Sequence, residues 1–364
     1  MVTIIAGLGS ALPTNRLSTK DYVEHAKKFS CQTPRQERVL EELYRRTSIE
    51  TRSSVLVSGG YGSRGERMFK PPEVGNELGP GTEERMKCYA SEVVPLALAA
   101  SQRALVDACL DGDSITHLVT ASCTGFFAPG FDVALIDQLP LNRSTSRTHV
   151  GFMGCHGAMN AMRVAKSFVE AEPEAVVLLC AAELCTLHFQ YGWEPSKLLA
   201  NSLFSDGSAA LVLRNSKDSI RGEWTHVNST SYLVPDSLDA MQWRLGNNGF
   251  EMQLSSSVPE LVETVLPAWL IPWLASFDLN VDNIPLWAVH PGGPRILDAV
   301  QRCLELPPDA LEHSRTVLSE CGNMSSPTVL FILERMRSLG AAGPCVMLGF
   351  GPGLTVEASL LIAT

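Results

Sequence analysis

No uninterrupted apolar stretch in this 364-residue sequence approaches the ~20 residues that a membrane-spanning helix needs, so no transmembrane span is expected. The N-terminus, Met1-Val2-Thr3-Ile4-Ile5-Ala6-Gly7, lacks a basic n-region and carries only a short apolar run. It reads as a first strand, not a signal peptide. Positive charge is in deficit: 29 Lys+Arg stand against 39 Asp+Glu, a formal net charge of -10. Such a surface repels polyphosphate backbones and argues against a nucleic-acid partner, although a local basic mouth for a phosphorylated ligand is compatible with it. The sequence also lacks a short tandem repeat and a compact cysteine framework. Its ten cysteines are spread along the chain, and Cys180 closes the apolar run Val176-Val177-Leu178-Leu179, so buried free thiols in a reducing cytoplasm are expected. With 45% hydrophobic and 19% charged residues, a sizeable core forms and disorder is excluded. At roughly 150 residues per domain, the length fits two domains or one large duplicated unit, and the class is a small-molecule enzyme.

What the sequence does contain is an alternation of strands and helices, the pattern of layered α/β folds with largely parallel sheets. His117-Leu118-Val119-Thr120-Ala121 and Ala175 to Cys180 read as buried strands. Between them, Ala158, Ala161, Met162, Ala165 and Val169 share a helical face whose small residues permit close packing. The same grammar returns later. Pro285 to Val289 reads as a strand, Pro291-Gly292-Gly293-Pro294 as a turn, and Ile296, Leu297, Val300 and Leu304 as one face of a helix. Pro327 sits at a first helical position, and Cys345 to Leu348 and Ala358 to Ile362 read as closing strands. The halves are placed at 1–215 and 216–364. Ser58 to Thr82, rich in Gly and Pro, reads as a surface excursion; no strand-turn-helix context makes it a phosphate cradle.

Three residues carry the chemistry. Cys155, in Gly151-Phe152-Met153-Gly154-Cys155-His156-Gly157-Ala158, starts the small-faced helix, where unpaired N–H groups and the macrodipole favour a thiolate and lower the thiol pKa. His290 follows a buried strand, where α/β folds place functional residues. Asn323 lies in the polar loop Glu320-Cys321-Gly322-Asn323-Met324-Ser325-Ser326. Each has a bland alternative: a structural thiol, a core imidazole, a turn residue. The order and spacing also suit a papain-like protease, but there is no Cys-Gly-Ser/Ala-Cys-Trp/Tyr motif and the α/β alternation is wrong for that fold. Acyl transfer through a thioester, with His and Asn as oxyanion donors, fits better.

The sequence resembles a bacterial type III polyketide synthase, of the chalcone synthase-like branch of the thiolase superfamily, from about Gly7 to the C-terminus. The matching stretches are Gly154-Cys155-His156-Gly157, Leu203-Phe204-Ser205-Asp206-Gly207, His290-Pro291-Gly292-Gly293-Pro294, Gly322-Asn323-Met324-Ser325-Ser326 and Gly349-Phe350-Gly351-Pro352-Gly353-Leu354-Thr355. The Gly-Gly-Pro after His290 and the Gly-Phe-Gly-Pro-Gly loop favour this branch over ketoacyl synthases of the fatty-acid type, a runner-up that shares the Cys-His-Asn triad.

The resemblance implies a thiolase fold, five-layered αβαβα, in a homodimer. It implies that Cys155 takes a starter acyl group from CoA, while His290 and Asn323 hold the thioester carbonyl of malonyl-CoA through decarboxylation. Phe204 matches the gatekeeper between CoA tunnel and cavity, and Met252 stands at the second gatekeeper position. Arg46 matches a basic CoA contact, with Arg38 and Arg45 nearby, and Gly351 and Pro352 belong to the substrate site. CoA thioesters are substrates, and no cofactor or metal is implied. Cys123, Thr124 and Ala128 in Cys123-Thr124-Gly125-Phe126-Phe127-Ala128-Pro129-Gly130 resemble alkylpyrone-forming synthases, in which small residues at Ala128 and Cys185 open an acyl tunnel. Trp243 and His188, if they line the cavity, restrict its far end. Glu183 and Ser325 match part of an activated-water network whose Thr is replaced here by Cys123. The expectation is an alkylpyrone or alkylresorcinol product from a fatty acyl starter; the alternative is a small or aromatic starter.

Overall fold

The structure is a computed structural model describing residues 2–56, 68–74, 77–216 and 223–364. Residues 58–67 and 75–76 of the Gly-rich excursion expected between Ser58 and Thr82 lie outside the described residues. Thirteen strands form among the described ones: β1 (Val2–Ala11), β2 (Arg16–Ser18), β3 (Thr51–Ser53), β4 (His117–Ser122), β5 (Ser146–Gly151), β6 (Val176–Leu184), β7 (Asp206–Ser216), β8 (Trp224–Leu233), β9 (Met241–Gly246), β10 (Gly249–Leu254), β11 (Leu286–Val289), β12 (Gly343–Gly351) and β13 (Thr355–Ala363).

Nine of them make one sheet in the order β11-β12-β13-β8-β1-β7-β6-β4-β5. That order is a repeat. β4 and β6 run parallel, β6 and β7 antiparallel, and β7 and β1 antiparallel. In the other half, β11 with β12, β12 with β13, and β13 with β8 reproduce the same three relations. The halves join where β1 meets β8 at Ile4↔Thr225 and Ile5↔Trp224.

Side-chain alternation along the strands sets the layers. Leu178, Cys180 and Ala182 of β6 face a core completed by Val93, Ala97, Ala100 and Ala104 of the helix Thr82–Asp107. Their neighbours Val177, Leu179 and Ala181 face a second core, shared with the helices Gly157–Ala171 and Thr328–Ser338 and with Cys345, Met347 and Leu361 from the other half. Beyond β12 and β13, Val346, Leu348 and Leu360 pack on the helices Val258–Ala275 and Pro294–Cys303. The sequence of layers is helix, sheet, helix, sheet, helix, the expected thiolase architecture. The small-faced helix is central because Ala158, Ala161 and Ala165, all fully buried, let it lie close to the sheet. A larger side chain there would overpack at about 1–3 kcal/mol.

Two expectations need correction. The strand expected to end at Cys180 continues to Leu184, carrying Glu183 into the interior, and Pro327 caps the helix Thr328–Ser338 without entering it. The helix Val258–Ala275 does meet the length and composition of a membrane span among the described residues. Its Val262, Leu266, Leu270 and Leu274 are fully buried in the third core, as in a core helix.

Candidate active site

Cys155 lies in a single 3₁₀ turn, Gly154–His156, that leads into the helix Gly157–Ala171. Gly154 makes that entry possible: its φ of +69° is left-handed, and an added Cβ would stand 2.4 Å from Pro352 Cδ. The Gly-Phe-Gly-Pro-Gly loop thus presses directly on the nucleophile's turn. Gly351 is equally constrained, since a Cβ there would come within 2.3 Å of the His156 ring.

Asn323 is fixed from both sides. Its N–H donates to Leu203 O at 3.0 Å and its carbonyl accepts from Ser205 N at 2.9 Å, bracketing Phe204. Its Oδ1 accepts from Ser325 N at 2.8 Å, which leaves the Nδ2 donors for another partner. Cys155 lies beside it, and the Asn323 and Ser325 side chains both act to lower the thiol's pKa. His290 follows β11, its N–H donating to Leu348 O at 2.8 Å. It is 1% exposed, and neither ring nitrogen has a hydrogen-bond partner. Burial first, and His156 beside it second, push its pKa down to about 3, so the imidazole is neutral.

The expected thiolate is not what this closed site gives. Burial pushes the Cys155 thiol up to about 12, Glu183 adds to the rise, and the bonds from Ser325 and Asn323 only offset it. Desolvation outweighs the helix terminus because the turn is enclosed.

Cys155 opens on a cavity lined by Cys123, Thr124, Cys185, Phe204, Met241, Trp243, Met252, Ser325 and Pro352, enclosing only about 20 Å³ of free space. That is room for about one water. A second cleft, bounded by the helix Pro195–Leu203 and β10, shares Cys185, Phe204, Trp243 and Met252 with it. These four side chains are therefore the partition between an approach cleft and the nucleophile. Both gatekeeper positions, Phe204 and Met252, fall in it. Trp243 does too, its Nε1–H donating to Cys123 O at 2.7 Å. His188 lines the cleft and not the cavity. Its Nε2–H donates to Thr124 O at 2.7 Å and its Nδ1 accepts from Phe250 N at 2.9 Å, fixing the tautomer. Its pKa is held down at about 3, first by burial.

Glu183 is fully buried behind Cys123 and accepts from Cys123 N at 3.0 Å, Thr124 Oγ1 at 2.6 Å and Ser326 Oγ at 2.8 Å. Burial raises its pKa against those donors. The expected pairing of Glu183 with Ser325 is replaced by Ser326, and Cys123 Sγ stands 3.5 Å from Ser325 Oγ.

Some residues fall outside this assembly. Ala128 is exposed and lines neither space. Arg46 and Arg45 both fold back on Glu42, at 2.7 Å and 2.6 Å, and Arg38 is exposed. Sequence reasoning missed Met241, Ser326 and the chain behind His156. Met241 had no motif to mark it, and Ser326 was read only as a neighbour of Asn323.

The comparisons agree with this geometry. Residues 1–216 match the family of chalcone and stilbene synthases through its N-terminal domain, and residues 226–364 through its C-terminal domain. The chain belongs to that family: it is a type III polyketide synthase, a condensing enzyme that uses acyl-CoA and malonyl-CoA. Among its relatives are the alpha-pyrone synthesis polyketide synthase-like Pks18 of Mycobacterium tuberculosis, 31% identical over 99% of this chain and 91% of the relative, and the 1,3,6,8-tetrahydroxynaphthalene synthase of Streptomyces peucetius, 30% identical over 99% and 93%. The crystal structure of PKS-I from the brown alga Ectocarpus siliculosus superposes with a TM-score of 0.91 at 28% identity, covering 100% of this chain and 98% of that one.

Proposed function

We propose that the enzyme loads an acyl-CoA starter on Cys155, extends it with malonyl-CoA and releases an alkylpyrone or alkylresorcinol, with the pyrone favoured. In loading, Cys155 Sγ attacks the starter carbonyl, the C–S bond to CoA breaks, and the thiol proton passes through neutral His290 to the departing CoA thiolate. In extension, His290 and Asn323 donate to the malonyl thioester oxygen, CO₂ leaves, and the resulting carbanion equivalent attacks the carbonyl of the Cys155 thioester; the bond to Sγ breaks, the lengthened chain stays on CoA, and the freed Cys155 sulfur takes up a proton. No cofactor is needed for these steps. The observation that carries the assignment is Cys155 at the end of an apolar cavity that it shares with Ser325 and with Phe204 and Met252 at the gatekeeper positions. The similarity to an alpha-pyrone synthesis protein supports the lactone product. So does Cys123, since a thiol orients a hydrolytic water poorly where a Thr hydroxyl would do so.

A second reading, a small or aromatic starter, draws on the confined cavity behind Trp243. Incubation with acyl-CoAs of graded length plus malonyl-CoA, read by mass spectrometry, separates the two. Condensation that survives Cys155→Ala would overturn the mechanism.

The homodimer is part of the same reading. Phe126, Phe152 and Met153 are exposed at one end of the edge strand β5, where a second copy would cover them. A cytoplasmic location fits the ten free thiols among the described residues.

A further inference from the structure

Behind Cys155 a line of buried polar groups runs away from the site, passes through a buried carboxylate of the other half, Glu357, and reaches solvent at Arg163. His156 Nδ1 and Asn160 Oδ1 are 2.6 Å apart. Asn160 Nδ2 donates to Glu357 Oε1 at 2.8 Å, and Arg163 Nη1 donates to Glu357 Oε2 at 2.9 Å. His156, Asn160 and Glu357 are each at most 3% exposed, whereas the Arg163 side chain is 41% exposed. Direction follows from the chemistry of the middle member. Because the Asn160 amide donates to a carboxylate, its oxygen faces His156, and His156 must supply the proton from Nδ1. Burial lowers the ring's pKa against the pull of Asn160 and Glu357, which favours the neutral tautomer with its proton on Nδ1.

The other edge of that ring touches the catalytic scaffold. His156 Cδ2 and Nε2 lie against Gly351, where an added Cβ would be 2.3 and 2.4 Å away, and its Cβ lies against Gly349. Gly349 pairs across the sheet with Glu357, and the preceding residue, Leu348, accepts from His290 N. One imidazole thus joins the Cys155 turn, the strand end that anchors His290, and a carboxylate of the other half. A buried His-Asn-Glu chain is no more stabilising than apolar residues of equal size, so stability alone does not account for it.

We infer that His156 is a positioning residue for acyl transfer, held through Asn160 by Glu357 and Arg163 so that Cys155 and His290 keep their relative placement. The inference rests on the assignment of Cys155 as nucleophile and His290 as its proton acceptor.

Single-turnover acylation of Cys155 by an acyl-CoA, read as the mass of the acylated peptide, tests it with the full-length enzyme. His156→Leu should slow acylation by about a hundredfold, the cost of an ångström-scale misplacement, while the KM for malonyl-CoA stays unchanged. His156→Asn keeps a donor at the Nδ position and should recover most of the rate. Thermal midpoints of both variants report folding separately. In histidine-labelled enzyme, nitrogen NMR should show the Nδ1–H tautomer at His156 and its loss in Asn160→Leu. Equal acylation rates for the Leu and Asn variants, or an Nε2–H tautomer in the wild type, would overturn the inference. A Cys155→Ala enzyme that still condenses would instead overturn the assignment on which it rests.

Discussion

In the proposed function Trp243 limits how long a chain the enzyme accepts, and removing it is the most informative perturbation. The indole stands in the partition with ring centroids 6.3 Å from Phe204, 5.5 Å from His188 and 5.7 Å from Phe250. With the wall closed, about 20 Å³ beside Cys155 cannot hold an extended intermediate. Trp243→Ala merges the cavity with the approach cleft. Truncating a large aromatic costs about 3–5 kcal/mol in a full core, and about 2–3 kcal/mol here because the ring is only half-buried. The Cys123 carbonyl loses its donor, which adds about 1 kcal/mol where water does not replace it. Against that loss, each starter methylene newly buried in the opened space contributes about 0.8 kcal/mol, or about fourfold in kcat/KM. The assay is kcat/KM for acetyl-, butyryl-, hexanoyl- and octanoyl-CoA with malonyl-CoA, with product masses read in parallel. In the variant the slope of log kcat/KM against chain length should rise relative to wild type, and products should shift to higher mass. An unchanged slope would refute the role given to Trp243.

Further expectations concern protons, backbone and assembly. Because the Cys155 thiol is pushed up to about 12, its alkylation by iodoacetamide should climb about tenfold per pH unit from pH 7 to 9; a plateau below pH 8 would show a thiolate instead. Asp206 is fully buried and raised from 3.8 to about 6, so the folded state holds its proton longer than the unfolded chain does. Its contribution is present below the unfolded pKa and is lost as pH rises through about 6, a loss of about 3 kcal/mol that denaturant titrations at pH 4 and pH 7 can resolve when compared with Asp206→Asn. Gly154→Ala forces a side chain into left-handed backbone and against Pro352, and should cost at least about 1–2 kcal/mol together with most of the acylation rate; calorimetry and the single-turnover assay measure both. Phe152→Glu places a charge on the exposed apolar end of β5 and should yield monomers in sedimentation velocity, whereas an unchanged dimer would place the interface elsewhere.

The fold was legible because its periodicities are strong and local. Val176 to Cys180 is a continuous apolar run, and the small residues of the helix Gly157–Ala171 announced a central position that burial confirms. Repetition of the sheet order was not legible, since no tandem repeat marks it and it emerges only from strand order and hydrogen-bond register. Boundaries failed where burial overrode propensity: the strand was expected to stop at Cys180, before Glu183, but four donors receive the Glu183 carboxylate inside.

The site divides along the same line. Positions tied to a backbone device, such as Gly154 before Cys155 or the turn after His290, could be read because the device constrains residue type. Electrostatics could not. A helix start predicts a lowered thiol pKa only while the terminus is hydrated, and here enclosure reverses the sign. That reversal carries mechanistic weight. In the proposed mechanism, a thiol whose ionisation burial opposes and a neutral imidazole without partners suit a proton moving between them as the acyl group arrives. The bound thioester, not the resting protein, would then set the moment of activation. The partition of Phe204, Trp243 and Met252 fits the same proposal, because it leaves Cys155 room for no more than about one water.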